Sequence, residues 1–591
     1  MNRHIYDQGI RTMLADQIKQ ALHHAAKNTP WADHAPARAQ DFPLETPKKA
    51  GHGHYATNMA MRLAKPLKRA PIQIAQELAA AVDTSGVIES VEVVNPGFIN
   101  IRVSAAALRG VAVQVLDQGA DYGRTGVGQG KKVQVEFVSA NPTGPLSVGH
   151  GRLAAYGDSL ARTLAAAGFA VQREFYVNDV GNQIVKLLLT VIKRIKQLLG
   201  EDIKLAEDDY QDEYLIGIAQ RFLDNGPAAY RSIDKINEFY ETILNNPATD
   251  NSEIMDFKNN FVIEWILNEQ KDVLQRFNVE FDEFFREGFL YNARKQRVAA
   301  GYAIEKDHQG FDEAFEILEK NNDIYSKDNA QWLASSRYSD EKDRVIVKAD
   351  GTKTYLMSDI AYIYNKLGVR KFDTAIYVWG ADHHGYIDRI KSAAQALGFA
   401  PERLEVIIVQ LVSIKGERMS KRRGNIIYLN ELIEDVGTDA TRFFFLTRPP
   451  GTHCDFDMDL ARDKSENNPM YYLQYVHARI CSMMEKAGEA GLAPDPAALD
   501  RLAEPVEMEL LKLIADFPWE VQGAALAREP HRIINYLTAV AGKFHSFYHD
   551  HKVIQQDDES LSRARLALCG AVRTVFRNGL DMLGISAPEK M

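Results

Sequence analysis

The chain has 591 residues, 46% of them hydrophobic and 25% charged, with a formal net charge of −10. That length calls for several domains, and the acidic balance argues against a generic nucleic-acid coat, although local positive charge can still hold phosphates. No apolar run approaches the ~18 residues of a membrane span, the N-terminus lacks the features of a secretory signal, and Cys454, Cys481 and Cys569 are too scattered for a disulfide framework or a zinc cluster, so a cytoplasmic chain with reduced thiols and no structural metal is expected.

Residues 1–118 read as a first α+β unit. "IAQELAAAV" has helical spacing, and "IESVEVVNPGFINIRVS" reads as two short strands around a Pro-Gly turn. The stretch 119–130 carries five glycines. A phosphate loop follows a strand and opens a helix, whereas this run precedes a strand, so it reads as a linker. In "KKVQVEFVSA" Val133, Val135 and Phe137 alternate as a strand. The turn "NPTGPLSVGHGR" follows, then a helix with Leu153, Leu160, Leu164 and Ala167 at helical spacing and a stop at Gly168, then the strand "FAVQREFYVND". Strand, turn, helix and strand make a βαβ unit and predict a parallel sheet.

Residues 183–340 read as a charged helical insertion within a sheet domain spanning 131–450. Sheet patterns resume in "DRVIVKADGTKTYLMSDIAYIYNKL", "FDTAIYVWGADHHGYIDRIKSAAQALG" and "LEVIIVQLVSI". "TYLMSD" reads as a strand that Asp359 ends, and "LEVIIVQLVSI" as one strand. From 451 to 591 every pattern is helical, which predicts an α-bundle.

Ligands of open α/β sheets bind beyond the carboxyl ends of strands, and three turns there carry unusual residues. In the first, Pro142, Gly144 and Pro145 delay the helix, while Ser147 and His150 share one face of its first turn. Gly149 leaves room for a flat ring, and a helix N-terminus favours phosphate. The second, "WGADHHGYIDR", offers Asp382 as an acceptor for ribose hydroxyls. The third, "GERMSKRRGN", places Arg418, Lys421, Arg422 and Arg423 where phosphates or RNA could be clamped. Each also has a plain structural alternative: a capped turn, a polar helix start, a solvated basic loop.

Together they are more specific. "SVGH" resembles the HIGH motif of class I aminoacyl-tRNA synthetases and "RMSKR" their KMSKS loop. "VEFVSANPTGPLSVGHGR", "DEKDRVIVKADGTKTYLMSDIAY", "VWGADHHGYIDR", "VVNPGFINIRV", "DATRFFFLTR" and the terminal "LGISAPEKM" resemble the bacterial arginyl-tRNA synthetases over nearly the whole chain.

The resemblance implies a Rossmann-like catalytic domain, an N-terminal domain that meets the tRNA D-loop and a helical anticodon-binding bundle. It implies arginine activation with ATP and Mg²⁺ and transfer to the 2′-hydroxyl of the terminal adenosine of tRNA(Arg). It also implies that tRNA is required for activation and that the protein is a monomer. Glu136, Asn141, Tyr355, Asp359 and Asp382 would then bind arginine, as a guanidinium calls for planar acceptors and negative charge. Ser147, Gly149, His150, Gly380, Asp382, His384, Met419, Ser420 and Lys421 would bind ATP, with His150 and Lys421 as the catalytic pair that stabilises phosphate charge. Asn95, Phe98, Asn100, Tyr472, Tyr475 and Met591 would meet tRNA.

The chain departs from the family at Ser147, where HIGH begins with histidine, and a lost transition-state donor is worth roughly 3 kcal/mol. A slowed activation step is therefore expected. "DNAQW" has Asn329 where the family favours glycine, which puts that loop's geometry in question. An RNA-binding paralogue without catalysis, or a small-molecule nucleotidyltransferase, are the competing readings.

Overall fold

The computed structural model describes residues 13–47, 51–245, 251–291, 310–414, 417–418 and 427–591. The chain divides into two compact units, one of Met1–Gln129, Arg162–Gly168 and Asp463–Met591, the other of Gly130–Ala161 and Phe169–Arg462.

In the first unit, β1 (Tyr55–Thr57), β2 (Ile88–Val94) and β3 (Phe98–Val103) form an antiparallel sheet in the order β1-β3-β2. The expected Pro-Gly turn joins β2 to β3. The bundle consists chiefly of Pro469–Glu489, Pro505–Ala527, His531–Asp550 and Glu559–Met582. Polar contacts fasten it to the N-terminal part: the Tyr55 hydroxyl donates to Asp516 Oδ1 at 2.7 Å, beside the Lys512 ammonium that also pairs with Asp516. Tyr122, in the glycine-rich stretch, stacks on Phe517 at 6.2 Å, and Asn578 Nδ2 donates to the carbonyls of Gly119 and Tyr122 at 2.9 Å each.

The second unit is built on β4 (Lys132–Glu136), β5 (Ala170–Val177), β6 (Glu283–Arg286), β7 (Ile324–Lys327), β8 (Ala330–Leu333), β9 (Arg344–Val347), β10 (Thr374–Gly380) and β11 (Leu404–Val409). Five of them form the parallel sheet expected, in the order β11-β10-β4-β5-β6. The chain runs outward from β4 through β5 to β6, then returns to lay β10 on the other side of β4. The order therefore reverses between β4 and β10, where a doubly wound sheet opens its ligand crevice. The helix Val148–Ala166 connects β4 to β5 and stops before Gly168, whose φ of 86° no further helical turn can use.

Three local expectations change. The stretch 183–340 is not helical throughout: it supplies β6 to the main sheet and β7 and β8 to a separate antiparallel sheet that β9 completes. "TYLMSD" is the start of a helix, Tyr355–Tyr364, because its buried Leu356, Met357, Ile360 and Ala361 follow helical spacing. "LEVIIVQLVSI" breaks after β11, where the buried Arg152 takes the Gln410 carbonyl at 2.7 Å; Val412–Ile414 then joins another sheet. The loop in question at Asn329 is a tight hairpin between β7 and β8, with Asp328 and Asn329 at φ 53° and 57°. Asparagine and aspartate tolerate that conformation.

A buried ion pair braces the Val148–Ala166 helix. Arg442, wholly buried, donates to Asp158 Oδ2 at 2.7 Å and to the carbonyls of Phe277 and Asn278 at 3.0 and 3.2 Å. Arg173 approaches the other carboxylate oxygen at 3.9 Å. Removing one member of a buried pair costs far more than the pair contributes. Arg442→Met is expected to lower the unfolding free energy of this unit by about 3–5 kcal/mol, read as a shift of the urea midpoint; an unchanged midpoint contradicts it.

Candidate active site

β4 ends at Glu136, which pairs in register with Glu174 within β5, and Tyr377 of β10 stands opposite Glu136. Two carboxylates side by side in a dry interior need cations. The helical run that follows Tyr355 supplies them. Lys366, fully buried, places Nζ 2.5 Å from Glu136 Oε2 and over the rings of Tyr362 and Tyr377 at 4.0 and 3.7 Å. Arg370 makes a two-pronged pair with Glu174 at 2.5 and 2.9 Å, and the Tyr362 hydroxyl donates to the same carboxylate.

The chain leaves β4 through Val138 and Ser139, with φ of 66° and 40°. Such a conformation at a β-branched residue is strained and concentrates at functional turns. It lets the Ser139 hydroxyl donate to Glu136 Oε1 at 3.1 Å while accepting the Tyr176 N–H at 3.1 Å.

Further acidic groups crowd the carboxyl ends of β5 and β6. Asp359, on the inner face of the helix Tyr355–Tyr364, accepts the Tyr386 hydroxyl at 2.5 Å. Burial pushes its carboxyl up to about 7; the Tyr386 bond and the Lys366 and Arg389 charges oppose this, while the Glu136 charge adds to it. Glu287, directly after β6, is likewise raised to about 7 by burial, helped by the charges of Asp359 and Asp179. Asn178, with its amide nitrogen turned inward, lies 2.9 Å from Glu287 Oε2. Asp179 accepts the Gly288 N–H at 2.9 Å. Tyr355 is 65% exposed, with its hydroxyl over Gly181. The result is an acidic recess with an aromatic rim.

The turn after β4 is held from outside. Gln270 Nε2 donates to the carbonyls of Asn141 and Gly144 at 3.3 and 2.8 Å, and the Tyr214 hydroxyl to that of Thr143 at 2.6 Å. Asn141 is exposed and donates to Gln183 Oε1 at 2.9 Å. At the helix start, the Ser147 N–H donates to His150 Nδ1 at 3.1 Å, and the Ser147 hydroxyl lies 3.1 Å from the same nitrogen. A ring nitrogen that accepts an N–H carries no proton, so the neutral imidazole presents its own N–H at Nε2. Gly149 has open space around it apart from Ser147 Oγ.

Gly380 ends β10, the strand beside β4, so the turn that follows it opens at the same crevice. Asp382 and His384 are both exposed there, and Asp382 lies 3.6 Å from His383. The structure thus brings Glu136, Tyr355 and Asp359 to one recess, with Asn141, Ser147, Gly149 and His150 on the adjoining turn. Asp382 points outward, and Tyr386 is the residue of that turn that reaches Asp359. Met419, Ser420 and Lys421 lie outside the described residues. Glu287, Asp179, Tyr386 and Lys366 were missed. Glu287 follows a strand end, and Lys366 is a lone charge in the apolar run "IAYIYNKLGV"; either signal could have flagged them. Among the described residues, no group of three or more His, Cys, Asp or Glu is placed to hold a metal, and no helix is long and apolar enough to cross a membrane.

The residues expected to meet tRNA lie in the first unit. Asn95 is exposed in the β2–β3 turn, Phe98 is half-buried, and Asn100 is 7% exposed with its amide nitrogen unbonded. Tyr472 and Tyr475 lie on Pro469–Glu489, their rings 4.7 and 6.3 Å from that of His545. Tyr475, Arg479, Tyr548, Lys552 and Met591 line a cleft of about 540 Å³. Gln474 and His477 hold the C-terminal tail there by the carbonyls of Ser586 and Pro588, at 3.0 and 2.9 Å.

Three family models match the chain in succession. "Arginyl tRNA synthetase N terminal domain" covers residues 12–103, "tRNA synthetases class I (R), catalytic domain" residues 112–444, and "DALR anticodon binding domain" residues 473–591. The reversed sheet and the helix opening at Ser147 are thus those of a class I synthetase catalytic domain. An arginine–tRNA ligase of Bacillus subtilis (strain 168) is 43% identical over 589 residues, covering 98% of this chain and 100% of that one. One of Shouchella clausii (strain KSM-K16) is 44% identical, covering 93% and 94%. The solved arginyl-tRNA synthetase of Thermus thermophilus shares the fold, with a TM-score of 0.74 at 24% identity over 98% of this chain and 100% of that one. The chain belongs to the arginyl-tRNA synthetase family.

The raised carboxyls set a pH dependence of stability. Asp359 and Glu287 move from 3.8 and 4.5 to about 7 on folding, so the folded chain binds more protons than the unfolded one between those values. Their contribution to stability is therefore present at low pH and is lost as pH rises through about 7. Asp359→Asn is expected to lessen the fall in the unliganded protein's unfolding midpoint between pH 5 and 8. Parallel curves for the two proteins contradict this.

Proposed function

We propose that the chain activates arginine with ATP, supplied as its Mg²⁺ complex, and transfers it from arginyl-adenylate to the 2′-hydroxyl of the terminal adenosine of tRNA(Arg). The acidic recess at the ends of β4, β5 and β6 is the single observation that carries this reading. A guanidinium keeps its charge at any relevant pH and presents planar donors. Asp359 and Glu136 would receive it, with Glu287 and Asp179 adding negative potential and Tyr355 covering the opening. Asn141 would hold the amino-acid backbone end.

No enzyme nucleophile is required. The arginine carboxylate attacks the α-phosphorus of ATP and the bond to pyrophosphate breaks. The terminal hydroxyl of tRNA then attacks the arginyl carbonyl and AMP leaves. The protein's part is positioning and charge stabilisation. The N-terminus of Val148–Ala166 and the Nε2–H of His150 would face the phosphates, with Lys421 as the charged partner implied by the family likeness. Gly149 would let the adenine lie close, and Gly380, Asp382 and His384 would line the nucleoside side. Ser147 acts here as the group that orients His150 rather than as a phosphate donor. The enzyme works as a monomer and requires tRNA for activation; Asn95, Phe98 and Asn100 would meet the D-loop, and Tyr472, Tyr475 and Met591 the anticodon loop.

Charging of tRNA(Arg) with labelled arginine and ATP tests the reading: esterified arginine supports it, and tRNA binding without charging overturns it. Asp359→Asn is expected to raise the KM for arginine about 30-fold or more, since breaking a buried charged contact costs at least ~2 kcal/mol. An unchanged KM removes Asp359 from the pocket. Ser147→Ala is expected to lower kcat for pyrophosphate exchange by about fivefold, for one hydrogen bond of ~1 kcal/mol, with the KM for arginine unaltered. A kcat equal to wild type would show that the serine does not orient His150.

A further inference from the structure

The helix that carries His150 starts against residues 427–429. Ser147 and Tyr428 form an antiparallel bridge; the Val148 N–H donates to the Ile427 carbonyl at 3.2 Å, and the Leu429 N–H to the Leu146 carbonyl at 2.7 Å. These bonds fix the strand-like segment to the turn before the helix. A side chain adds a contact with the helix itself. Leu429 is wholly buried, and a Cβ placed on Gly151 would stand 2.6 Å from Leu429 Cδ1 and 3.1 Å from Phe445 Cε2. Only a residue without a side chain admits so close an approach. Gly151 immediately follows His150, so the contact lies beneath the turn that presents Ser147 and His150.

The same downstream stretch grips the helix again two turns on. Phe445 and Arg442 both belong to Thr438–Leu446, and Arg442 holds Asp158. The Leu429 side is anchored in turn: Glu431 accepts the Tyr428 N–H at 2.9 Å, and the Tyr428 hydroxyl donates to Asp212 at 3.3 Å. The helix start is thus set by a close-packed wedge fixed from both ends.

We propose that Leu429, seated in the notch at Gly151, is a positioning residue for the activation step. It sets the tilt of the helix's first turn and thereby where His150 Nε2 points. This rests on the reading of His150 as a phosphate-stabilising donor. A displacement of about an ångström at such a group costs up to about a hundredfold in rate.

The test is a size exchange across the contact. Gly151→Ala, Leu429→Ala and the double variant are compared with wild type in tRNA-dependent ATP–pyrophosphate exchange, with kcat, the KM for ATP and tRNA binding measured for each. Gly151→Ala is expected to lower kcat by at least about tenfold with tRNA binding unchanged, and the double variant to return to within about threefold of wild type. Simple loss of core packing predicts the reverse, since two truncating or clashing changes would then add. Wild-type kcat in Gly151→Ala, or a double variant no faster than Gly151→Ala, overturns the proposal. If Gly151→Ala yields no folded protein, Leu429→Ala decides: a kcat reduced about threefold or more supports the wedge, and a wild-type kcat overturns it. Absence of exchange in the wild type itself would instead remove the proposed function.

Discussion

Two carboxylates at the same level of neighbouring central strands cannot both stay charged in a dry interior unless cations meet them. Glu136 and Glu174 are such a pair, and Lys366 and Arg370 neutralise them from the helical run that follows Tyr355. The rest of the site follows from that constraint. To bring Lys366 and Arg370 beneath the sheet's carboxyl ends, this run must pack across β4 and β5. That packing carries Asp359 to the mouth of the same recess and Tyr386 to Asp359. Removing Lys366 would leave Glu136 with a buried charge, so the floor of the recess and the alignment of the central strands are one problem with one solution.

The two halves of the site then differ in kind. The acidic half is buried and held by ion pairs, suited to a cation that must be told apart from neutral side chains. The other half is a half-buried helix N-terminus preceded by a turn with no regular structure of its own. It keeps its shape because Gln270 and Tyr214 take its carbonyls and because the segment at 427–429 bridges it. The Ser147 and Val148 N–H groups are already taken, by His150 Nδ1 and the Ile427 carbonyl, so it is the positive end of the helix dipole that supplies the polarity phosphates need. The prolines and glycines of "NPTGPLSVGHGR" therefore serve an open strand end held in place by its neighbours.

Much of this was legible in the amino-acid order. Alternation in Val133, Val135 and Phe137, helical spacing after Ser147 and the second alternating run specify the βαβ unit, because each pattern has a single period over enough residues. The turn residues Ser147 and His150 stood out differently, by their three-residue spacing at a helix start and their likeness to the HIGH motif. β6 did not, since four residues, "EFFR", carry no readable period inside a charged stretch, and Glu287 was lost with it. Tyr355–Tyr364 is aromatic and buried on most of its surface, which blurs helix against strand. The break after β11 depends on a distant side chain, Arg152, that no local pattern announces. Ser147 gave the least away: its type says only that it can share one proton, and its contact with His150 Nδ1 is a matter of geometry.

Under the proposed function the recess beside β4, β5 and β6 is a cation pocket whose carboxyls hold protons until a guanidinium arrives. Calorimetric titration of the protein with arginine near pH 6.5, in two buffers of different ionisation enthalpy, measures the protons exchanged on binding. With Asp359 and Glu287 at about 7, most of that population is protonated before binding, and the incoming charge favours its release. The expected result is a net release of protons that fades above pH 8. Binding with no proton exchange, or with uptake, would contradict the account.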